Sequence, residues 1–128
     1  MTSVLVDTSV WRRWFGGDAE ARPLGELLDE PAKVLVHPWV LAELILGGLS
    51  VREQRLLERL PQPPIVAYSE VVELIHRRRL ARRGVGWVDA NLLASALVTS
   101  ASLWTLDASL RAAATHLGVV FPVGSPNR

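Results

Sequence analysis

The sequence has no cysteine, which excludes a disulfide scaffold, a thiolate zinc site and a thiol nucleophile together. No apolar run approaches the roughly 18 to 20 residues of a membrane span. The start, Met1-Thr2-Ser3-Val4-Leu5-Val6-Asp7, lacks the basic flank and long apolar stretch of a signal peptide, so a cytoplasmic protein with no membrane partner is expected. Neither a GxGxxG nor a GxxxxGK(S/T) pattern occurs, and nucleotide binding has no support. The only lysine is Lys33, and none follows a late strand, which weakens a phosphate-accepting signalling domain with Asp7 as acceptor. The histidines His37, His76 and His116 show no ligand spacing among themselves and read as incidental. What remains is a chain of 128 residues, 49% hydrophobic, with 14 basic and 13 acidic residues. That is enough to bury a core as one domain over residues 1–128, without linker or low-complexity segment.

Short apolar runs alternate with helical spacing. Ser3–Val6 and Val34-Leu35-Val36 read as strands buried on both faces, and Leu103-Trp104-Thr105-Leu106 and Val119-Val120-Phe121 as two more. After the first strand, Thr8 or Ser9 can cap a helix that carries Trp11, Trp14 and Phe15 and stops at Gly16-Gly17. Asp18 can cap a second helix through Leu24, Leu27 and Leu28, closed by Pro31. Pro38 opens a third that runs to Gly47-Gly48. Ser50 and Glu53 have capping-box spacing for a fourth, ended by Pro61, Pro63 and Pro64. Ile65-Val66-Ala67 is too short to assign. Ser69 is placed to cap a helix ending in an arginine-rich turn before Gly84, Asp89 to begin an apolar helix, and a last helix reaches Leu117. This alternation predicts an α/β/α sandwich around a mainly parallel sheet.

In such a sheet the carboxyl ends of the strands open on one edge, where α/β proteins place their sites. Leu5-Val6-Asp7-Thr8-Ser9-Val10 is echoed by Thr105-Leu106-Asp107-Ala108-Ser109-Leu110, which makes Asp7 and Asp107 expected neighbours. Each is equally readable as a helix cap, as is Asp89, although Trp87 and Val88 suggest that the helix start at Asp89 is covered. Glu43 lies in Trp39-Val40-Leu41-Ala42-Glu43-Leu44-Ile45-Leu46, so apolar that little of it is expected to face water, unless a narrow edge is exposed. Lys33, at the far end of the second strand, is poorly placed to compensate it. Four converging carboxylates repel unless a cation neutralises them, and oxygen ligands favour Mg²⁺ or Mn²⁺ over zinc. Metal-dependent phosphodiester hydrolysis suits that arrangement best.

Val4-Leu5-Val6-Asp7-Thr8-Ser9-Val10-Trp11, Leu41-Ala42-Glu43-Leu44, the run from Gly84 through Asp89 to Ala96, and Leu103-Trp104-Thr105-Leu106-Asp107 form an ordered set. In order and separation it resembles PIN-domain ribonucleases, most of all VapC-type toxins of bacterial toxin–antitoxin pairs, over essentially the whole chain. The resemblance implies Asp7, Glu43, Asp89 and Asp107 as metal-binding and catalytic residues, supported by Thr8 or Ser9, Thr105 and Asn91. It implies a metal-bound water attacking structured RNA of the tRNA or rRNA class. It further implies a VapB-type antitoxin over the site, and a homodimer that forms a heterotetramer or larger assembly with it. Many members carry further polar or acidic residues where this chain has Asn91 and Ser109, which leaves one or two metals open; many also have an aromatic near Leu110.

Arg77, Arg78, Arg79, Arg82 and Arg83 read either as a solvated helix end or as phosphate contacts, with Arg12 and Arg13 a smaller second group. Trp11, Trp14 and Phe15 form a stripe that is core, or in part a groove for an antitoxin helix. Without the four candidate carboxylates, nine acidic residues face 14 basic ones, a balance of +5 beneath the net charge of +1. The competing reading is a catalytically silent PIN-like module that binds RNA or protein.

Overall fold

Strands form at the apolar, β-branched runs. In the computed structural model, which describes residues 3–122, β1 is Val4–Val6, β2 is Val34–Leu35 and β3 is Ser102–Trp104. They build a parallel sheet in the order β2-β1-β3, with Leu5 opposite both Leu35 and Leu103. Successive strand residues point to opposite faces, and Val4, Leu5 and Val6 are all buried, so both faces of β1 are covered. Continuous hydrophobicity is the signature of that environment.

Seven helices surround the sheet among the described residues: α1 Thr8–Phe15, α2 Pro23–Leu27, α3 Pro38–Leu46, α4 Val51–Glu58, α5 Tyr68–Arg77, α6 Trp87–Thr99 and α7 Ala108–His116. α1, α3 and α7 follow strands β1, β2 and β3, so their N-termini gather at the carboxyl edge of the sheet. One core joins strand residues such as Leu5, Val6 and Trp104 to Trp11, Leu44, Leu92 and Leu110, and a smaller cluster of Val66, Val71, Ala90 and Ala94 lies between α5 and α6.

The capping box at Ser50 and Glu53 is present with both of its bonds, and α1 ends at Gly16 as expected. Other boundaries differ for identifiable reasons. The helix expected after Asp18 is broken in two: Asp18 caps a 3-10 turn, Ala19–Ala21, and α2 starts separately at Pro23, whose ring cannot continue the preceding turn. Ser69 lies inside α5, which Ala67 precedes. α6 begins at Trp87, with Gly86 at its N-cap, so Asp89 occupies the third position rather than opening the helix. The strand expected through Leu106 stops at Trp104, because the Thr105 hydroxyl accepts a bond from the Asp107 N–H at 3.0 Å and turns the chain. The final strand is reduced to one parallel bridge between Leu103 and Val120.

Two burial expectations are also corrected. α3 is not enveloped: Ala42, Ile45 and Leu46 face water, Leu46 at 87% exposure. Its outer side is apolar and exposed, so composition alone overstated burial. Trp87 is 38% exposed, so the start of α6 is open rather than covered.

Candidate active site

Asp7 follows β1 and stands at the N-cap of α1, yet its side chain makes no capping bond. Its Oδ2 instead accepts hydrogen bonds from Ser9 Oγ at 2.8 Å and from Thr105 Oγ1 at 2.7 Å, the second bridging 98 residues of sequence. Ser9 Oγ in turn accepts from the Leu106 N–H at 3.0 Å. The β1–α1 and β3–α7 turns are thereby sewn together through hydroxyls, and the two echoed segments lie side by side. Asp7 is 7% exposed and Thr105 1% exposed, so these bonds satisfy groups withdrawn from water.

Glu43 lies half-buried on the inner edge of α3, and Thr8 Oγ1 donates to its Oε1 at 2.7 Å. The orientation of α3 is fixed from below by His37, whose Nδ1 accepts the Trp39 N–H at 3.0 Å. His37 is fully buried, and burial lowers its pKa to about 4, so it is neutral. A lone histidine has no sequence signature for that capping role.

Asp89 turns back along α6 to accept the Gly86 N–H at 3.0 Å. Its carboxyl is pushed above the usual carboxylate range, above all by burial; the Gly86 N–H opposes this, and the negative charges of Asp7, Asp107 and Glu43 reinforce it. All four acids therefore share one electrostatic neighbourhood. Asp107, exposed, caps α7 by accepting the Leu110 N–H at 2.9 Å. The cap reading thus holds for Asp107, holds in part for Asp89, and fails for Asp7.

Each carboxylate is held by its own donor, and among the described residues no three acidic or histidine side chains are drawn into a ready cation cage. The donor set is nevertheless oxygen throughout and strongly negative, which suits a hard divalent cation better than zinc. Asn91 is buried and donates to the Trp87 carbonyl at 2.9 Å, within its own helix.

The arginines divide. Gly84 has φ +76°, and a Cβ there would meet Ser109 Oγ at 2.9 Å. This close approach holds the turn carrying Arg82 and Arg83 against the first turn of α7, beside Asp107. Arg79 has left-handed backbone (φ 56°) and breaks the run into two pieces. Arg77 pairs with Glu73 at 2.6 Å on the surface, while Arg78, Arg79, Arg82 and Arg83 enter no ion pair among the described residues. Arg12 and Arg13 lie in the last turn of α1, away from its acidic start. Arg13 is taken up by Asp18 and Glu20, and the Arg12 guanidinium lies against Gly47 at the end of α3. Lys33 pairs with Glu30 at 2.8 Å. Of the aromatic stripe, Trp11 is core, whereas Trp14 and Phe15 line a groove of about 580 Å³ with Arg52, Glu53, Arg55 and Leu56 of α4 and with Arg59 just after it.

The PIN domain family model matches residues 4–115. Over 119 residues the chain is 48% identical to Ribonuclease VapC32 of Mycobacterium tuberculosis strain H37Rv, covering 91% of this chain and 94% of that protein. Ribonuclease VapC32 of strain CDC 1551 / Oshkosh matches with the same identity and coverage.

Proposed function

The chain belongs to the PIN-domain family, and from that premise we propose that it is a VapC-type endoribonuclease toxin that hydrolyses phosphodiester bonds of structured RNA in the cytoplasm. The observation that carries the reading is the shared neighbourhood of Asp7, Glu43, Asp89 and Asp107, each of them held by Thr8, by Ser9 and Thr105, or by a backbone N–H at its own helix start. We assign these four carboxylates to the holding of Mg²⁺ or Mn²⁺. Bound there, the cation supplies neutralisation of the carboxylates and polarisation of a phosphate oxygen. The protein's own contribution is positioning. Thr105 and Ser9 hold one oxygen of Asp7, Thr8 aims Glu43, and Asn91 steadies the first turn of α6 below Asp89. Arg82 and Arg83 are placed to meet the substrate backbone. The domain is taken to span residues 1–128, of which 1–2 and 123–128 lie outside the described residues.

The groove between α1 and α4, lined by Trp14, Phe15 and Leu56 and by three arginines against the single acid Glu53, is our assignment for an apolar, acidic-flanked segment of a VapB-type antitoxin. A homodimer, and a heterotetramer or larger with antitoxin, completes the reading. Antitoxin-free protein is expected to cleave RNA with Mg²⁺ or Mn²⁺ and to stop when EDTA is added. Asp7→Asn is expected to lower cleavage by at least about a hundredfold while leaving the fold intact by circular dichroism. Undiminished cleavage by that variant, or metal-independent cleavage, overturns the assignment in favour of a silent binding module or another site.

A further inference from the structure

Three aromatic side chains beside the acids take no part in holding them. Trp39 is the second residue of α3, Trp87 the first of α6 and Tyr68 the first of α5. Trp39 and Trp87 lie 6.3 Å apart between ring centroids, and Trp87 and Tyr68 5.4 Å apart, with tilts of 42° and 47°. The series starts on the buried His37 ring, 5.9 Å from Trp39, and ends in water: Tyr68 is 73% exposed and Trp87 38%. Three rings from three helices are thus packed in series, and the last two are exposed to solvent.

Their position is as informative as their exposure. Trp39 stands one turn before Glu43 on the same side of α3. The Asp89 carboxylate is folded back onto Gly86, the residue before Trp87. The arginine turn ending at Gly84 closes the same edge from the other direction, through its contact with Ser109. The rings therefore share this edge with Glu43 and Asp89, and the arginine turn lies just before Trp87 in the chain. A partner helix needs a continuous apolar surface, and this patch is interrupted by polar groups. An unpaired base needs one or two ring faces for stacking and a basic flank for its phosphates.

We propose that Trp87 and Tyr68, backed by Trp39, form a stacking platform for an unpaired nucleobase next to the phosphate held at the acidic site. The platform selects a loop or single-stranded segment over a duplex, whose bases are already stacked on their neighbours. This inference rests on RNA being the substrate, as proposed above.

Binding is measured with Ca²⁺ in place of Mg²⁺ or Mn²⁺, so that the carboxylates are neutralised, with strand integrity checked on a gel, by fluorescence anisotropy of a short labelled oligoadenylate and of an abasic ribose-phosphate strand of equal length. Wild-type protein is expected to prefer the base-bearing strand by about tenfold. Trp87→Leu and Tyr68→Leu are each expected to reduce that preference to about threefold or less while leaving affinity for the abasic strand unchanged, and Trp87→Phe to restore most of it. Equal binding of the two strands by wild type, or an unchanged preference in both leucine variants, overturns the platform. So does sedimentation showing that the leucine variants lose the preference only by dissociating a protein dimer. Metal-dependent cleavage assayed in parallel separates the two ideas. Cleavage without base preference removes the platform alone, whereas base preference without cleavage keeps the platform and removes the nuclease reading.

Discussion

A histidine that sequence reading set aside fixes how the helix bearing Glu43 begins. His37 can accept the Trp39 N–H only while neutral, and its Nε2 finds no partner among the described residues. Its pKa lies below the unfolded value of 6.5, at about 4. The unfolded chain therefore binds a proton first as the pH falls. The stability conferred by the neutral ring is complete above about pH 6.5 and is lost progressively down to about pH 4. By pH 5 the loss amounts to roughly 2 kcal/mol. His37→Asn, which keeps an acceptor for the cap, is expected to show a shallower decline in urea-denaturation stability between about pH 7.5 and pH 5; parallel declines would remove His37 as the cause. Legibility at this scale followed chemistry. The four acids were visible because charged residues stood at strand ends or inside an apolar helix. Thr105 was visible only as a polar residue beside one of them, and its bond to Asp7 depends on strands that meet across the whole chain. His37 carried no signal, since a cap made by an imidazole has no pattern of spacing.

At the scale of elements, Gly84 couples the arginine turn to α7. Gly118 has a similar backbone angle, φ +74°, with nothing within 4 Å of its Cβ position, and so isolates the conformational cost from the steric one. Gly118→Ala is expected to cost about 1 kcal/mol. Gly84→Ala, which adds a contact at 2.9 Å from Ser109, is expected to cost roughly 2 to 3 kcal/mol in chemical denaturation. Equal losses would show that the turn and α7 yield freely. Element order and type were legible from period and punctuation: the capping box, the glycine stop after α1 and the proline start of α3 all stand where the sequence put them. What was not legible came from interactions distant in sequence or from competing local rules. Pro23 started a helix where Asp18 had already capped a shorter one, and the outer face of α3 stayed in water although every residue around Glu43 is apolar.

At the scale of the whole molecule, the near-zero net charge resolves into an acidic edge within a positive remainder. The arginine turn is the part of that remainder held against the edge, so its phosphate contacts are expected to show in the salt dependence of binding. For single-stranded RNA, Arg82→Ala combined with Arg83→Ala is expected to flatten the slope of log affinity against log salt by about 1.4, with similar weakening for every sequence. The same slope in wild type and variant would place the phosphates elsewhere.

The bond from Thr105 to Asp7 also constrains when the site can exist. β1 has no partner for its central position until β2 emerges, and Asp7 acquires its Thr105 hydroxyl only after 98 further residues have been made. Parallel pairing over such a separation is a late event in folding and a slow one. During synthesis on the ribosome, a nascent chain holding Asp7, Glu43 and even Asp89 still lacks the β3–α7 turn that brings Thr105 to Asp7 and carries Asp107. The order of the chain thus works as a timer: the acidic edge is assembled only once Thr105 and the turn after β3 have left the ribosome, by which time the α1–α4 groove has also had time to form.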